Sequence, residues 1–223
     1  MARRTRLEAE ATREGLLDAA EDCFREQGLF RTSLEAIATR AGVTRGAVYW
    51  HFKNKDEVLE AVINRVSVPF FHGLDRVSRA DGTTPLRDLR RMLCQSFADL
   101  VHDQRVRSAV EVIELRSEVA VNDDAISRLR TSGMRETQAR IVAAFRRAQA
   151  LGQMRDGHSP EQCGRSLHVI IAGSVRMHLL DPATFDLERD GLAAVDLLLH
   201  AVADIPVDEG DGPAFASVAG GGA

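Results

Sequence analysis

The chain has 223 residues, 44% of them hydrophobic and 28% charged, a globular balance that excludes a disordered or fibrous protein. A formal net charge of -4 excludes a uniformly basic, histone-like protein, and no run of about 18 apolar residues offers a membrane span. Cys23, Cys94 and Cys163 are odd in number and widely spaced, and Met1-Ala-Arg-Arg-Thr-Arg6 has no apolar stretch behind it, so the expected setting is a reducing cytoplasm without membrane or disulfide.

Apolar residues recur at helical spacing almost throughout, which predicts an all-α fold of about nine helices. A first helix over about residues 8–27 places Leu16, Ala20, Cys23 and Phe24 on one face and ends at Gly28. Thr32-Ser-Leu-Glu35 reads as a capping box opening a short helix that stops at Gly42; Thr44 caps a third helix over about 44–51, and Asn54 caps a fourth. Pro69 is expected to close or bend that fourth helix, and Ser78–Thr84 to form a loop. Thr84-Pro85 starts a helix to about Val101, and others cover about 104–116 and 123–151. Ser159-Pro-Glu-Gln162 starts one to about Leu180, and a last helix, about 187–204, is mostly Ala, Val and Leu. From Pro206 the composition turns to Gly, Pro, Asp and Ala, which predicts a disordered tail over 206–223.

Charge is distributed unevenly along this series. Up to Lys55 there are ten Lys and Arg against eight Asp and Glu; beyond it, 19 against 25. The only Tyr (Tyr49), the only Trp (Trp50) and both Lys (Lys53, Lys55) fall within seven residues. On composition alone such a cluster is a solvated face. Its spacing says more. Ala38, Gly42 and Val48 lie within helix–short turn–helix, which supplies a small residue at the crossing, a glycine at the turn and an apolar anchor. The second helix is then free to enter the DNA major groove with Thr44, Arg45 and Gly46 at base edges and Tyr49 one turn on. Arg45 offers a guanidinium fork to guanine, Tyr49 a ring for thymine methyls. Thr32 or Ser33, with His51 and Lys55, lie where phosphates run, and Trp50 is expected to be partly buried or against the backbone, with Phe52 in the core.

The stretch Thr32-Ser-Leu-Glu-Ala-Ile-Ala-Thr-Arg-Ala-Gly-Val-Thr-Arg-Gly-Ala-Val-Tyr-Trp-His-Phe-Lys-Asn-Lys-Asp-Glu57 resembles the DNA-binding domain of the TetR family of bacterial repressors. The opening, with Arg4 in its basic arm, resembles the subgroup that controls multidrug efflux pumps, the acriflavine-resistance repressor included. The resemblance implies a DNA-binding domain over 8–54 (motif 33–52), a helical ligand-binding and dimerisation domain over 55–205, and a homodimer on a palindromic double-stranded operator. A small hydrophobic or amphipathic effector would enter the second domain and release the DNA. Apolar candidates for its pocket are Phe70, Leu93, Phe97, Val110, Ile113, Ile141, Val169 and Met177, with Glu111, Glu114 and Gln138 as polar partners. Helices eight and nine carry apolar or small residues on more than one face, which calls for a partner; Leu167, Ile171, Ser174, Val175, Leu192, Val195, Leu199 and Val202 are the expected dimer interface.

The seven His never pair with Cys or Glu at zinc spacing, and no nucleophile elbow, phosphate loop or dinucleotide fingerprint occurs. No catalytic residue, metal or cofactor is expected. A ligand-responsive repressor, of an efflux operon by resemblance, is the reading that follows. A regulator of a catabolic or stress gene, and a helical small-molecule-binding protein without DNA function, are the alternatives.

Overall fold

Helix boundaries in this chain are set by short polar side chains that satisfy the free N–H groups of a first turn. The computed structural model describes residues 2–29, 31–79, 82–115 and 124–207, with side chains from Arg6 onward and, in the seventh helix, from Arg130. Among these residues the order is α1 (Ala2–Gln27), α2 (Leu34–Arg40), α3 (Arg45–His51), α4 (Lys55–Ser78), α5 (Pro85–His102), α6 (Gln104–Glu114), α7 (Asp124–Ala150), α8 (Pro160–Leu180) and α9 (Leu192–Val202), with no strand. Thr44, Asn54 and Ser159 cap α3, α4 and α8 as their positions predict. Gly42, at φ +68°, takes the left-handed conformation that the tight α2–α3 turn requires.

The structure corrects several expectations. Ser33, not Thr32, caps α2, accepting from the Ala36 N–H at 3.1 Å. Thr32 is buried, and its hydroxyl lies 3.2 Å from the Cys23 carbonyl and 2.9 Å from that of Gly28. It satisfies the last carbonyls of α1 instead of the first amides of α2. Of the two outcomes expected at Pro69, closure does not occur: α4 runs through it to Ser78. The first helix starts at Ala2, and the last is preceded by a π-helical turn at Leu187–Gly191. Nor does the ordered chain stop at Pro206. The Pro206 carbonyl accepts from Arg87 Nη2 at 3.0 Å and Val207 is fully buried, while the expected tail over 208–223 lies outside the described residues.

Apolar burial forms two cores. The first gathers Leu16, Leu17, Phe24, Ile37, Ala38, Val48 and Phe52, each large side chain contributing about 1.5–3 kcal/mol. It also takes in Val58, Leu59, Ala61 and Val62 of α4, and Ala109 and Val112 of α6. The second joins Leu74 and Val77 of α4 to α5, α7, α8 and α9 through Leu93, Phe97, Ile141, Phe145, Leu167 and Leu199. The division between cores therefore falls inside α4, near residues 66–70, and not before it. Gly164 permits the close α7–α8 crossing: a Cβ there would lie 2.6 Å from Val142 Cγ2.

Candidate nucleic-acid interface and internal cavity

The helix-turn-helix is held from beneath by Ile37, Ala38, Val48 and Phe52, all buried. Val43 N–H donates to the Ala38 carbonyl at 3.0 Å and fixes the turn. Val48 is the buried residue of α3, so the opposite side of that helix is left to solvent. Thr44, Arg45, Gly46, Tyr49 and Trp50 are all exposed there. Arg45 is placed rather than loose: its Nη2 lies 3.1 Å from Glu35 Oε1, and its guanidinium sits 5.4 Å from the centre of the Tyr49 ring. The hydrogen bond to Tyr49 and the charge of Glu35 push its pKa further up, so it is a permanent cation.

The phosphate-facing candidates divide. Ser33 is exposed, whereas the buried hydroxyl of Thr32 is committed to α1 and leaves the set. Trp50 is 73% exposed, which excludes partial burial and leaves the backbone position that was its alternative; Phe52 fills the core as expected, and His51 meets the Trp50 ring edge-on at 4.5 Å. Burial and the nearby Arg13 charge push the His51 pKa down. Lys55 is half-buried, and its ammonium donates to the Leu29 carbonyl at 2.7 Å, tying α4 to the end of α1. That bond is structural and competes with the phosphate role its position suggested. Lys53, which the sequence places in the basic cluster but not among the phosphate-facing candidates, is the exposed lysine. Arg4 lies in the first turns of α1 with its side chain outside the described residues.

A cavity of about 1250 Å3 opens between α4, α5 and α6, with Ile171 and Val175 of α8 and Leu192 of α9 behind it. Phe70, Leu93, Phe97, Val110, Ile113 and Glu114 line it as expected. Other residues fall elsewhere. Ile141 is packed in the second core, and Glu111 and Gln138 are half-buried away from the cavity wall. Val169 and Met177 are 73% and 52% exposed, on the outside of α8. The polar wall that sequence reasoning missed comes largely from α5: Arg90, Gln95 and Ser96 stand there, beside Arg65 and Ser67 of α4. Arg90 is fixed by a two-pronged pair to buried Asp196 of α9, at 2.7 and 3.0 Å. A charged stripe inside an amphipathic helix was the available signal, but periodicity alone assigns it to solvent.

The expected dimer residues mostly face inward. Leu167, Ile171, Ser174, Val195, Leu199 and Val202 are buried within the subunit, while Val175 and Leu192 line the cavity. The apolar surface left outside on these helices is Val169, Met177 and Leu180 of α8 and Leu197 of α9. On α8 these follow one another at i, i+8 and i+11, with exposed Gly173 between, so they share one face.

Where α1, α4 and α6 meet, Arg65 gathers three carboxylates of α1: Glu14 at 3.0 Å, Asp18 at 2.7 Å and Glu21 at 2.7 Å. Arg105 of α6 reaches Asp18 from the other side at 3.4 Å. Glu21 is buried, and that burial pushes its pKa up against the opposing pull of Arg65. Among the described residues no group of His, Cys, Asp and Glu is arranged to hold a metal, and no helix is long and apolar enough to cross a membrane.

Residues 16–62 match the family described as bacterial regulatory proteins, tetR family. The chain is 36% identical over 191 residues to the HTH-type transcriptional regulator TtgR of Pseudomonas putida, covering 85% of this chain and 90% of that one. Among solved structures, a complex of SmeT with triclosan superposes with a TM-score of 0.86 at 45% identity, covering 89% of this chain and 95% of that one. A second SmeT structure, described as the repressor of the Stenotrophomonas maltophilia multidrug efflux pump SmeDEF, gives a TM-score of 0.80 at 42% identity, covering 90% and 95%.

Proposed function

The chain belongs to the tetR family of bacterial regulatory proteins, and is thus a DNA-binding transcriptional regulator and not an enzyme; from that premise we propose that it represses a multidrug efflux operon in the cytoplasm and leaves its operator when a small hydrophobic or amphipathic molecule fills the cavity. One observation carries the reading: α6 faces both parts. Its Ala109 and Val112 lie in the core beneath the recognition helix, and its Val106, Val110 and Ile113 line the cavity. A ligand pressing on one face of α6 moves side chains that pack against α1 and α4 of the head from the other.

On this reading Arg45 and Tyr49 meet base edges while Ser33, Trp50 and Lys53 follow the phosphates. Val169, Met177, Leu180 and Leu197 form a two-fold interface, which sets two recognition helices about 34–36 Å apart on a palindromic site. The efflux assignment follows SmeT, whose complex also makes triclosan the first effector to try. A gel shift with the intergenic DNA beside the gene tests it: a palindrome-specific complex that triclosan or another pump substrate dissolves is expected. Absence of sequence-specific binding would sink the repressor reading. Specific binding beside a catabolic operon would sink the efflux assignment alone.

A further inference from the structure

We propose that the cavity takes an amphipathic organic anion, an apolar body carrying one carboxylate or similar acidic group, and that Arg87 and Arg76 select for the charge. This rests on the reading of the cavity as the effector site and names the class of molecule that fills it.

Five arginines line the cavity, Arg65, Arg76, Arg87, Arg90 and Arg91, against Asp88, Asp99 and Glu114. Their partners decide which of them matter. Arg65 is committed to Glu14, Asp18 and Glu21, Arg90 to buried Asp196, and Arg91 to Asp88 at 3.1 Å. Arg76 and Arg87 face no carboxylate among the described residues. Arg87 is nevertheless held in place: its Nη2 donates to the Pro206 carbonyl at 3.0 Å, while its Nε is buried with no acceptor. A neutral carbonyl does not balance a guanidinium, and a donor cut off from water and left unpaired is unfavourable. A carboxylate brought alongside supplies the missing charge, in the geometry that a guanidinium edge fits best.

Position supports the same choice. Gly73 of α4 meets Met92 of α5, where an added Cβ would lie 3.0 Å from Met92 Cγ. In the turn between the helices, a Cβ on Gly82 would lie 3.9 Å from both the Val77 carbonyl and Asp88 Oδ2. The two helices therefore run antiparallel, in a register that brings Arg76 level with the first turns of α5, beside Arg87. The acids lie elsewhere. Asp99 is twelve residues along α5 from Arg87, about 18 Å at the helical rise, and its carboxylate accepts from Gln95 Nε2 at 2.7 Å. Glu114 ends α6, and Arg176 Nη1 donates to its backbone carbonyl at 3.0 Å, which places a positive charge beside that acid. Leu93 and Phe97 follow Arg87 along α5 by about 9 and 15 Å, and with Phe70, Val110 and Ile171 they give an apolar wall to the body of the anion. Against such a wall an unbalanced cation acts more strongly than in open water.

Three probes with one biphenyl body test the charge: biphenyl-4-carboxylate, biphenyl-4-carboxamide and biphenyl-4-methylammonium, titrated into the full-length protein by calorimetry near neutral pH. The carboxylate is expected to bind about tenfold or more tighter than the amide, and the ammonium weakest. Arg87→Gln is expected to bring carboxylate and amide within about threefold, and Arg76→Gln to narrow the gap. Arg76 is exposed, so its variant keeps the test intact if loss of the Pro206 bond makes Arg87→Gln fold poorly. Equal binding of carboxylate and amide, or tightest binding of the ammonium, would overturn the anion class and leave the effector-site reading in place. A second measurement needs no ligand. Cys94 lines the cavity seven residues from Arg87 and is exposed, whereas Cys23 and Cys163 are buried. Its preference for sulfonatoethyl over trimethylammonioethyl methanethiosulfonate is expected to exceed that of a free thiol about tenfold, with Cys94→Ala as the control. Absence of that bias would overturn the anion class whatever the probes do. A carboxylate that binds but leaves the operator complex intact would overturn the effector-site reading and leave the anion site standing.

Discussion

Helices α3 and α8 both present a face to another molecule on the reading above, yet they are built on opposite rules. The seven residues of α3 are fixed by one buried anchor, Val48, and Arg45, Gly46, Tyr49 and Trp50 are left exposed to a partner. The 21 residues of α8 bury Leu167, Ile171 and Ser174 on one side while leaving Val169, Met177 and Leu180 on the other, so apolar residues ring the helix. A helix with one anchor can be oriented from spacing alone. A helix that is apolar all round has two solutions, and spacing does not say which face belongs to its own subunit.

The largest effects test that division directly. Leu199→Ala, on the inner side of α9, is expected to cost about 2–5 kcal/mol of unfolding free energy in urea titrations. Val169→Glu combined with Met177→Glu should leave the fold nearly as stable, within about 1 kcal/mol, while converting dimer to monomer in sedimentation. If the inner substitution dissociated the dimer and the outer pair unfolded the subunit, the two faces would have to be exchanged. On α3, Arg45→Ala is expected to cost about 1–3 kcal/mol at one base position and relax specificity there, measured on operators substituted base by base. Uniform weakening on all sequences would move Arg45 to the phosphates. A smaller effect separates the neighbouring hydroxyls before α2. Ser33→Ala should cost about 0.5–2 kcal/mol through the lost cap, and thermal unfolding that did not move would return the cap to Thr32.

The smallest effect is one of pH. Burial pushes the pKa values of His51 and His168 below the ordinary 6.5, with Arg13 adding to the effect on His51. The unfolded chain then binds these protons more readily than the folded one. Their contribution is present above the ordinary histidine value and is lost as pH falls through the lowered folded values. Replacing both by Asn should shrink the loss of stability between about pH 7.5 and pH 5.5; an unchanged loss would remove histidine burial as its cause.

What was legible in the sequence follows the same division. Caps at Thr44, Asn54 and Ser159, the turn at Gly42 and the anchor at Val48 are local, and each can be read from its neighbours. Thr32 and Ser33 are adjacent hydroxyls, and only the position of the end of α1 decides which one caps. Pro69 reads as a stop or a bend, and the anchors on both sides of it decide against a stop, holding α4 together at the cost of one bond. Val169 and Met177 read as pocket, and Leu167 and Leu199 as interface, because the choice between faces depends on where α5 and α7 pack. The basic residues of the head were recognised by type. Their different settings, Arg45 poised on Tyr49 and Lys55 bonded to the Leu29 carbonyl, belong to tertiary structure.

The two small side chains that α6 lends to the first core, Ala109 and Val112, bear on how the protein melts. A fragment ending within α4 keeps the whole recognition motif but exposes the apolar floor of α1 that these residues cover. The reading head is thus not a detachable module whose unfolding can be separated from that of the rest. Heating should take both cores apart in one cooperative transition, and a clone truncated to the family's matching segment should yield a loosened head that reads DNA poorly for want of a neighbour, not of a contact.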